Sequence, residues 1–467
     1  MSASSVGQAT RPSAGPPREY RFPRFERRVL DNGLTLIVAP VTKLPLATVV
    51  MVIDAGATAD PIGGEGIAML TAQLLAEGTA RITSGTELTE RFERLGAAIE
   101  AQATWDAASV RMTVMTDRLD AALPLFAEVV TTPTFPAREV GRLRAERLAE
   151  LLQQRAEPRG LADEMFERFT YDPTSRYARP DGGGDASVRA ITRDDIAGFH
   201  ERRYRPGGAT LIVAGDVRIG EIEQLAAASF GTWTGERPSV ALTSDAPARG
   251  ARAVHLVAKE DAPQSELRIG HPGVPRSHPD YFGIVVMNAV LGGLFSSRIN
   301  LNLREVHGYT YGAFSEFDWR RQAGPFVVST AVKSDVTEPA AREVLREIDR
   351  IRDEEIGDAE RSLATSYLDG VFPIRYETTA AIASALASLV VYSLPDDYFD
   401  TYRAKIRAVT GADVLDAART HLRPEALQIV VVGDPRVVEE PLGQLGAGPV
   451  TVYDATGVEP AADRRSK

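Results

Sequence analysis

Arg205-Pro206-Gly-Gly-Ala-Thr-Leu-Ile-Val-Ala-Gly215-Asp216 is followed, 218 residues later, by Arg423-Pro424-Glu-Ala-Leu-Gln-Ile-Val-Val-Val-Gly433-Asp434. Each stretch leaves an Arg-Pro turn, runs through apolar residues and stops at Gly-Asp, as a buried strand does before a tight turn. One such pair could arise by chance. The same offset also pairs Ile191-Thr192 with Val409-Thr410, Asp195 with Asp413, and Pro45 with Pro263. A period this long indicates a duplicated domain, since solenoid units repeat every ~20–50 residues. The seam falls at residues 236–252, where Glu236-Arg237-Pro238 and the run from Thr243 to Gly250 are rich in Pro, Ser, Ala and charge. The expected organisation is a disordered arm over 1–24, a domain over 25–235, a linker over 236–252, a second domain over 253–447 and a loose tail over 448–467.

Within the first copy, Arg28-Val-Leu-Asp31-Asn32-Gly33-Leu-Thr-Leu-Ile-Val38 predicts a hairpin, with Asn-Gly supplying the positive φ angles of a type I′ turn. Ala47 to Ile53 is continuously apolar and reads as a strand. Ile67, Leu70 and Leu74 share one helical face over 66–77, and Gly78 stops the helix. Ser84 with Glu87 forms a capping-box pattern. Val110, Met112 and Val114 alternate as in a half-buried strand, and helices are expected over 117–130 and 137–155. Strand pairs followed by helix pairs give an α+β fold: two homologous domains, each a mainly antiparallel sheet packed with helices.

Composition narrows the chemistry. The 467 residues include no cysteine, which excludes a disulfide framework, a thiolate-bound zinc and a thiol nucleophile. A net charge of −11 argues against a broad nucleic-acid surface and suits basic peptide partners. Neither a signal-peptide h-region nor the ~20 apolar residues of a bilayer span is expected, and the default location is cytoplasmic. The chain has six histidines, and none lies in the first 199 residues.

Gly66-Ile-Ala-Met69-Leu-Thr-Ala72-Gln73-Leu-Leu-Ala-Glu-Gly78-Thr79 resembles the active-site helix of insulinase/pitrilysin-type zinc peptidases, a family that includes the mitochondrial processing peptidase. That helix carries H-x-x-E-H, two zinc-binding histidines and a glutamate that activates water. Here Met69 and Gln73 stand at the histidine positions and Ala72 at the base. Without those donors, this chain is expected to hold no metal. Glu150, 77 residues past Gln73, lies close to where the resemblance puts the family's third ligand, about 76 residues on, although a lone carboxylate on a charged helix reads more readily as a solvated residue.

The second copy carries Val290-Leu291-Gly292-Gly293-Leu-Phe-Ser296-Ser297-Arg298-Ile299, then Leu303-Arg304-Glu305-Val-His307-Gly308-Tyr309-Thr310-Tyr311-Gly312. This resembles the family's glycine turn, Ser-Ser-Arg and "L-R-E-x-x-G-x-x-Y", whose Arg and Tyr lie near substrate. The resemblance covers roughly residues 25–445. It implies that Arg304 anchors a substrate carbonyl, that Tyr311 donates to a developing oxyanion, and that Gly292, Gly293, Ser296 and Ser297 lie at the substrate. His307 reads as an incidental loop histidine. Trp319 and Arg320-Arg321 have no role in the resemblance, and Asp181-Gly182-Gly183-Gly184-Asp185 reads as a flexible surface loop beside the cleft.

The implied protein is a non-catalytic subunit of a two-chain zinc metallopeptidase, inactive alone. A homologous H-x-x-E-H partner would supply zinc and general base in a heterodimer or heterotetramer. The alternatives are a structural core-type subunit and a stand-alone peptide-binding homodimer.

Overall fold

The computed structural model describes residues 19–236, 238 and 250–459. The first domain contains β1 (Glu26–Val29), β2 (Thr35–Pro40), β3 (Leu46–Ile53), β4 (Ile99–Ala103), β5 (Ala108–Met115) and β6 (Ala209–Gly215), in sheet order β1-β2-β6-β3-β5-β4. Its helices are α1 (Ile67–Leu74), α2 (Gly85–Arg94), α3 (Leu119–Thr131), α4 (Ala137–Ala156), α5 (Pro158–Thr170), α6 (Asp185–Ala190), α7 (Arg193–Arg203) and α8 (Ile219–Phe230). The second domain contains β7 (Ala253–Ala258), β8 (Gln264–Pro272), β9 (Ala313–Phe317), β10 (Pro325–Lys333), β11 (Gln428–Gly433) and β12 (Val450–Tyr453), in order β12-β7-β11-β8-β10-β9. Its helices are α9 (Tyr281–Asn288), α10 (Arg298–Asn300), α11 (Thr337–Asp353), α12 (Asp358–Arg375), α13 (Thr379–Val391), α14 (Tyr398–Ala408), α15 (Gly411–His421) and α16 (Pro435–Gly443). The sheets are mixed but mainly antiparallel; β2–β6, β7–β11 and β7–β12 are the parallel pairs.

The repeat is physical. Thr192 accepts from the Asp195 amide and Asp195 caps the Thr192 amide in return; Thr410 and Asp413 do the same before α15. The Pro45 carbonyl accepts from the Thr116 amide and that of Pro263 from Ser334, at the same offset.

The domains exchange helices. α5 packs on β8 and β11 of the second sheet, and α13 packs on β3 and β6 of the first. Leu161, Met165, Phe166 and Phe169 of α5 are buried with Val257, Val327, Val430 and Val432. On the first sheet Val50, Val52 and Ile212 join the core of Ile382, Leu386 and Leu389, while Val49, Met51 and Leu211 face their own helices. β3 is therefore covered on both faces, which is why Ala47 to Ile53 lacks alternation. Each large apolar side chain so buried contributes ~1.5–3 kcal/mol, enough to lock the two domains together.

Several expectations are corrected. The first hairpin forms, but only Gly33 has positive φ (88°), and Asn32 does not, so the turn is not type I′. The Gly33 amide bonds Leu30 O and the Leu30 amide bonds Leu34 O, which closes a longer loop with glycine in the left-handed position. Ser84 accepts from the Glu87 amide at 3.4 Å, but Glu87 turns to Arg91 (2.7 Å) and completes no capping box. Within the expected arm, Phe22 is buried and stacks on Phe399 (4.2 Å), and Tyr20 donates to Tyr376 O; residues 1–18 lie outside the described residues. The expected loose tail contributes β12, paired with β7, because Val450, Val452 and Tyr453 offer apolar cover at the sheet edge; 460–467 lie outside the described residues. So do 237 and 239–249 of the linker. The helical run Tyr281–Val306 has the length and apolarity of a bilayer span, contrary to expectation. It is broken at 294–297, and 56% of its most apolar window is buried in the protein, as in a core helix.

Candidate functional site: a cleft between the domains

Helix α1 is set by an acidic cap that is remote in sequence. Asp60 accepts from the amides of Gly66 (2.8 Å) and Ala68 (2.9 Å), satisfying donors that a helix start leaves open. Arg176 reaches the same carboxylate at 2.9 Å and is held by the carbonyls of Ala57, Arg179, Pro180 and Asp181. Burial lifts the Asp60 carboxyl to about 6, against the pull of Arg176 and the two amides. Gly66 has φ 98°, and a Cβ there would meet Gly182 O at 2.5 Å, so glycine is required.

The Asp181–Asp185 segment is thereby corrected from a flexible surface loop to a close-packed wall. Ser187 Oγ donates to Glu65 O, and Arg147 Nε donates to Gly182 O (3.2 Å). A Cβ on Gly182 would lie 2.5 Å from Arg147 Nη2 and 2.7 Å from Met69 Sδ. A thioether and a guanidinium thus meet beside this helix. Ala72 is fully buried, Gln73 is half-buried, and Glu150 points outward with a 3.3 Å contact to Arg147. These donors do not fit zinc: one thioether, no imidazole, and a cation beside the carboxylate. Among the described residues one cluster has metal-ligand spacing, His278, Asp280 and His421, and it draws nothing from α1.

Met69 lines a cavity of ≈ 370 Å³ between α4, α5 and strands β8 to β10. A second, of ≈ 620 Å³, ends at Tyr311. Both are lined by Asp163, Arg268, Glu316 and Ser329, so they form one groove from α1 to Tyr311. Its charges are largely paired. Arg268 meets Asp163 (2.6 Å) and Glu266 (2.9 Å). Burial, with Asp318 and Asp163 adding repulsion, raises the Glu316 carboxyl.

Tyr311 is 94% exposed, and its loop is pinned by Thr310 Oγ1, which donates to Ala331 O (2.8 Å). Arg304 lies over the Phe295 ring (4.6 Å) and near Glu305 (3.4 Å), so no direct contact joins it to Tyr311. His307 stacks on Tyr309. Ser296 and Gly293 are exposed. Gly292 and Ser297 are both buried, and a Cβ on Gly292 would meet Ser315 at 2.3 Å. Gly292 is there for the close approach of the helical run to β9, which the sequence shows only as a glycine pair.

The sequence matches the family described as Insulinase (Peptidase family M16) over residues 37–177, and that described as Peptidase M16 inactive domain over 190–366. The chain belongs to the M16 peptidase family. It is 22% identical over 418 residues to an uncharacterized zinc protease of Streptomyces coelicolor, covering 88% of this chain and 90% of that one. It is 26% identical over 280 residues to a probable mitochondrial-processing peptidase subunit beta of Schizosaccharomyces pombe, covering 58% and 59%. The crystal structure of a peptidase M16 inactive domain from Pseudomonas fluorescens superposes with TM-score 0.81 at 26% identity, over 88% of this chain and 98% of that one. A Helicobacter pylori protease shares the fold at TM-score 0.83 and 20% identity, over 88% and 100%.

Within this M16 chain, the residues without a role in the sequence reading prove to be keys between the domains. Arg320 is buried, bonds Glu167 of α5 (2.8 Å) and lies over the rings of Trp105 (4.1 Å) and Tyr177 (4.6 Å). Burial holds the Glu167 carboxyl up to about 7 despite Arg320. Arg321 Nη1 bonds Asp54 (2.5 Å), and its amide bonds Asp106 (2.9 Å). Two adjacent arginines after an aromatic residue were the available signal; nothing local named their distant acids.

Proposed function

We propose that this chain is the non-catalytic, substrate-holding subunit of a two-chain M16 zinc peptidase acting in the cytoplasm. The carrying observation is Tyr311, a large phenol left 94% exposed on a pinned loop at the end of an inter-domain groove. Buried groups of this size each stabilise a fold by ~1.5–3 kcal/mol, so an exposed one on a rigid loop favours a role at an interface or substrate.

On this reading the peptide lies along the groove past Glu316 and Arg268. The Tyr311 hydroxyl donates to a carbonyl oxygen as it gains charge, and Arg304 steadies a neighbouring carbonyl. An aimed donor of this kind is worth ~3–4 kcal/mol. Zinc and general base belong to an H-x-x-E-H partner, because Met69, Ala72 and Gln73 provide neither. The test is reconstitution. Co-expression with an H-x-x-E-H homologue from the same host should give a stable complex that cleaves peptides, with each chain inactive alone. A stable complex without cleavage would favour the structural-subunit reading.

A further inference from the structure

A further cavity of ≈ 660 Å³ lies among α12, α13 and α14 and the strand end Glu316–Trp319, adjoining the groove at Glu316 and Asp318. It is a second copy of the cleft beside α1. α4 and α5 begin 221 residues before α12 and α13. At that offset Arg147, Gln154, Asp163, Glu164 and Glu167, which line the first cleft, become Leu368, Arg375, Ser384, Ala385 and Ser388, which line this one. Duplication has kept the hollow, replaced Arg147, Asp163, Glu164 and Glu167 by apolar and small groups, and placed Arg375 where Gln154 stood.

One buried charge remains. Arg276 is 8% exposed, and its guanidinium lies 3.6 Å over the Tyr281 ring and 5.0 Å from that of Tyr398. Its Nη2 donates to the Tyr398 hydroxyl at 2.5 Å. Among the described residues it makes no other side-chain hydrogen bond, and no carboxylate comes within ion-pair distance of it. Buried arginines are ordinarily paired, and stacking on aromatic rings offsets only part of the desolvation. The other walls are largely aromatic, with Phe317, Trp319, Phe372, Tyr392 and Phe399 among them, while Glu316 and Arg375 line it from exposed positions. Asp318, on the strand side, is engaged by Arg320. A buried anion is therefore favoured at the Arg276 end, with apolar matter beyond it.

We propose that this cavity is a second binding site, beside the groove, for a carboxylate carried on an apolar or aromatic group. Arg276 donates to the carboxylate, and the Tyr398 hydroxyl, which accepts from Arg276, donates its own proton to the same anion. Such a ligand has two sources: the free C-terminus of an apolar peptide, or a small aromatic acid.

The full chain is titrated with N-acetyl-Leu-Phe, its C-terminal amide and 3-phenylpropionate, followed by calorimetry and tryptophan fluorescence. The peptide acid should saturate and bind at least about tenfold tighter than the amide, as expected for loss of a charge-assisted contact. Equal affinity for phenylpropionate assigns the site to small acids; much weaker binding assigns it to peptide termini. Arg276→Gln should lose about tenfold or more. Ser388→Trp, which fills the cavity and leaves Arg276 in place, should abolish binding in a chain shown by circular dichroism to be folded. The proposal is overturned by acid and amide binding alike, by no saturation with either acid up to about 5 mM, or by full affinity in folded Ser388→Trp.

Discussion

The two halves of this molecule repeat one unit, yet they meet the groove between them differently. In the first half, α1 is walled in: Asp60 caps it, Gly182 and Gly183 press on its start, and Arg147 meets Met69 beside it. In the second half, the segment after Ser297 leads outward to a pinned loop and an exposed Tyr311. The frame survives in both; the chemistry sits at a few positions that can change while the frame stays. At the groove, the first half offers a wall and the second half an exposed hydroxyl.

The largest effect should come from the cap of that wall. Asp60→Ala leaves Arg176 buried without its carboxylate and strips two amides, and should cost ~3–5 kcal/mol in urea unfolding. A loss no larger than that of a surface site would mean that the wall is not rigid. Phe169→Ala, at the helix exchanged between domains, should cost ~3–4 kcal/mol. If the domains unfold separately in that variant, calorimetry will show two transitions in place of one.

A proton-linked effect comes next. Glu167 stands at 4.5 ordinarily and is held up to about 7 in the folded chain. The folded state therefore binds that proton more tightly. The associated stability is fully present below about 4.5 and is lost as pH rises through about 7. Its side chain is 21% exposed, so solvent screens the effect to on the order of 1 kcal/mol. Glu167→Gln should flatten the dependence of unfolding stability on pH across that window; an unchanged slope would assign the proton elsewhere. The smallest effect concerns the repeat. Thr192→Ala and Thr410→Ala should each cost ~1 kcal/mol, nearly equally, because both caps have the same geometry.

Much of the fold was legible because duplication printed it twice. The Gly-Asp strand ends and the Thr-Asp caps each gave local signals at one offset, and the helix over 66–77 followed from its apolar spacing. The absence of imidazole from α1 was legible because it depends on identity: a chain without histidine before residue 200 cannot supply two imidazoles there. What was illegible was pairing at a distance. Nothing around Arg320 or Arg321 names Glu167, Asp54 or Asp106, and Gly292 looks like a substrate turn until Ser315 is placed against it. Edge strand β12 was hidden because four residues of modest apolarity become a strand only when β7 offers its edge.

The central claim is that this chain lends a hydroxyl to a partner's active site, and one substitution tests it. In the reconstituted complex, Tyr311→Phe should leave complex formation and peptide KM nearly unchanged and lower kcat by ~100-fold or more. A kcat equal to that of the unmodified complex would contradict the account.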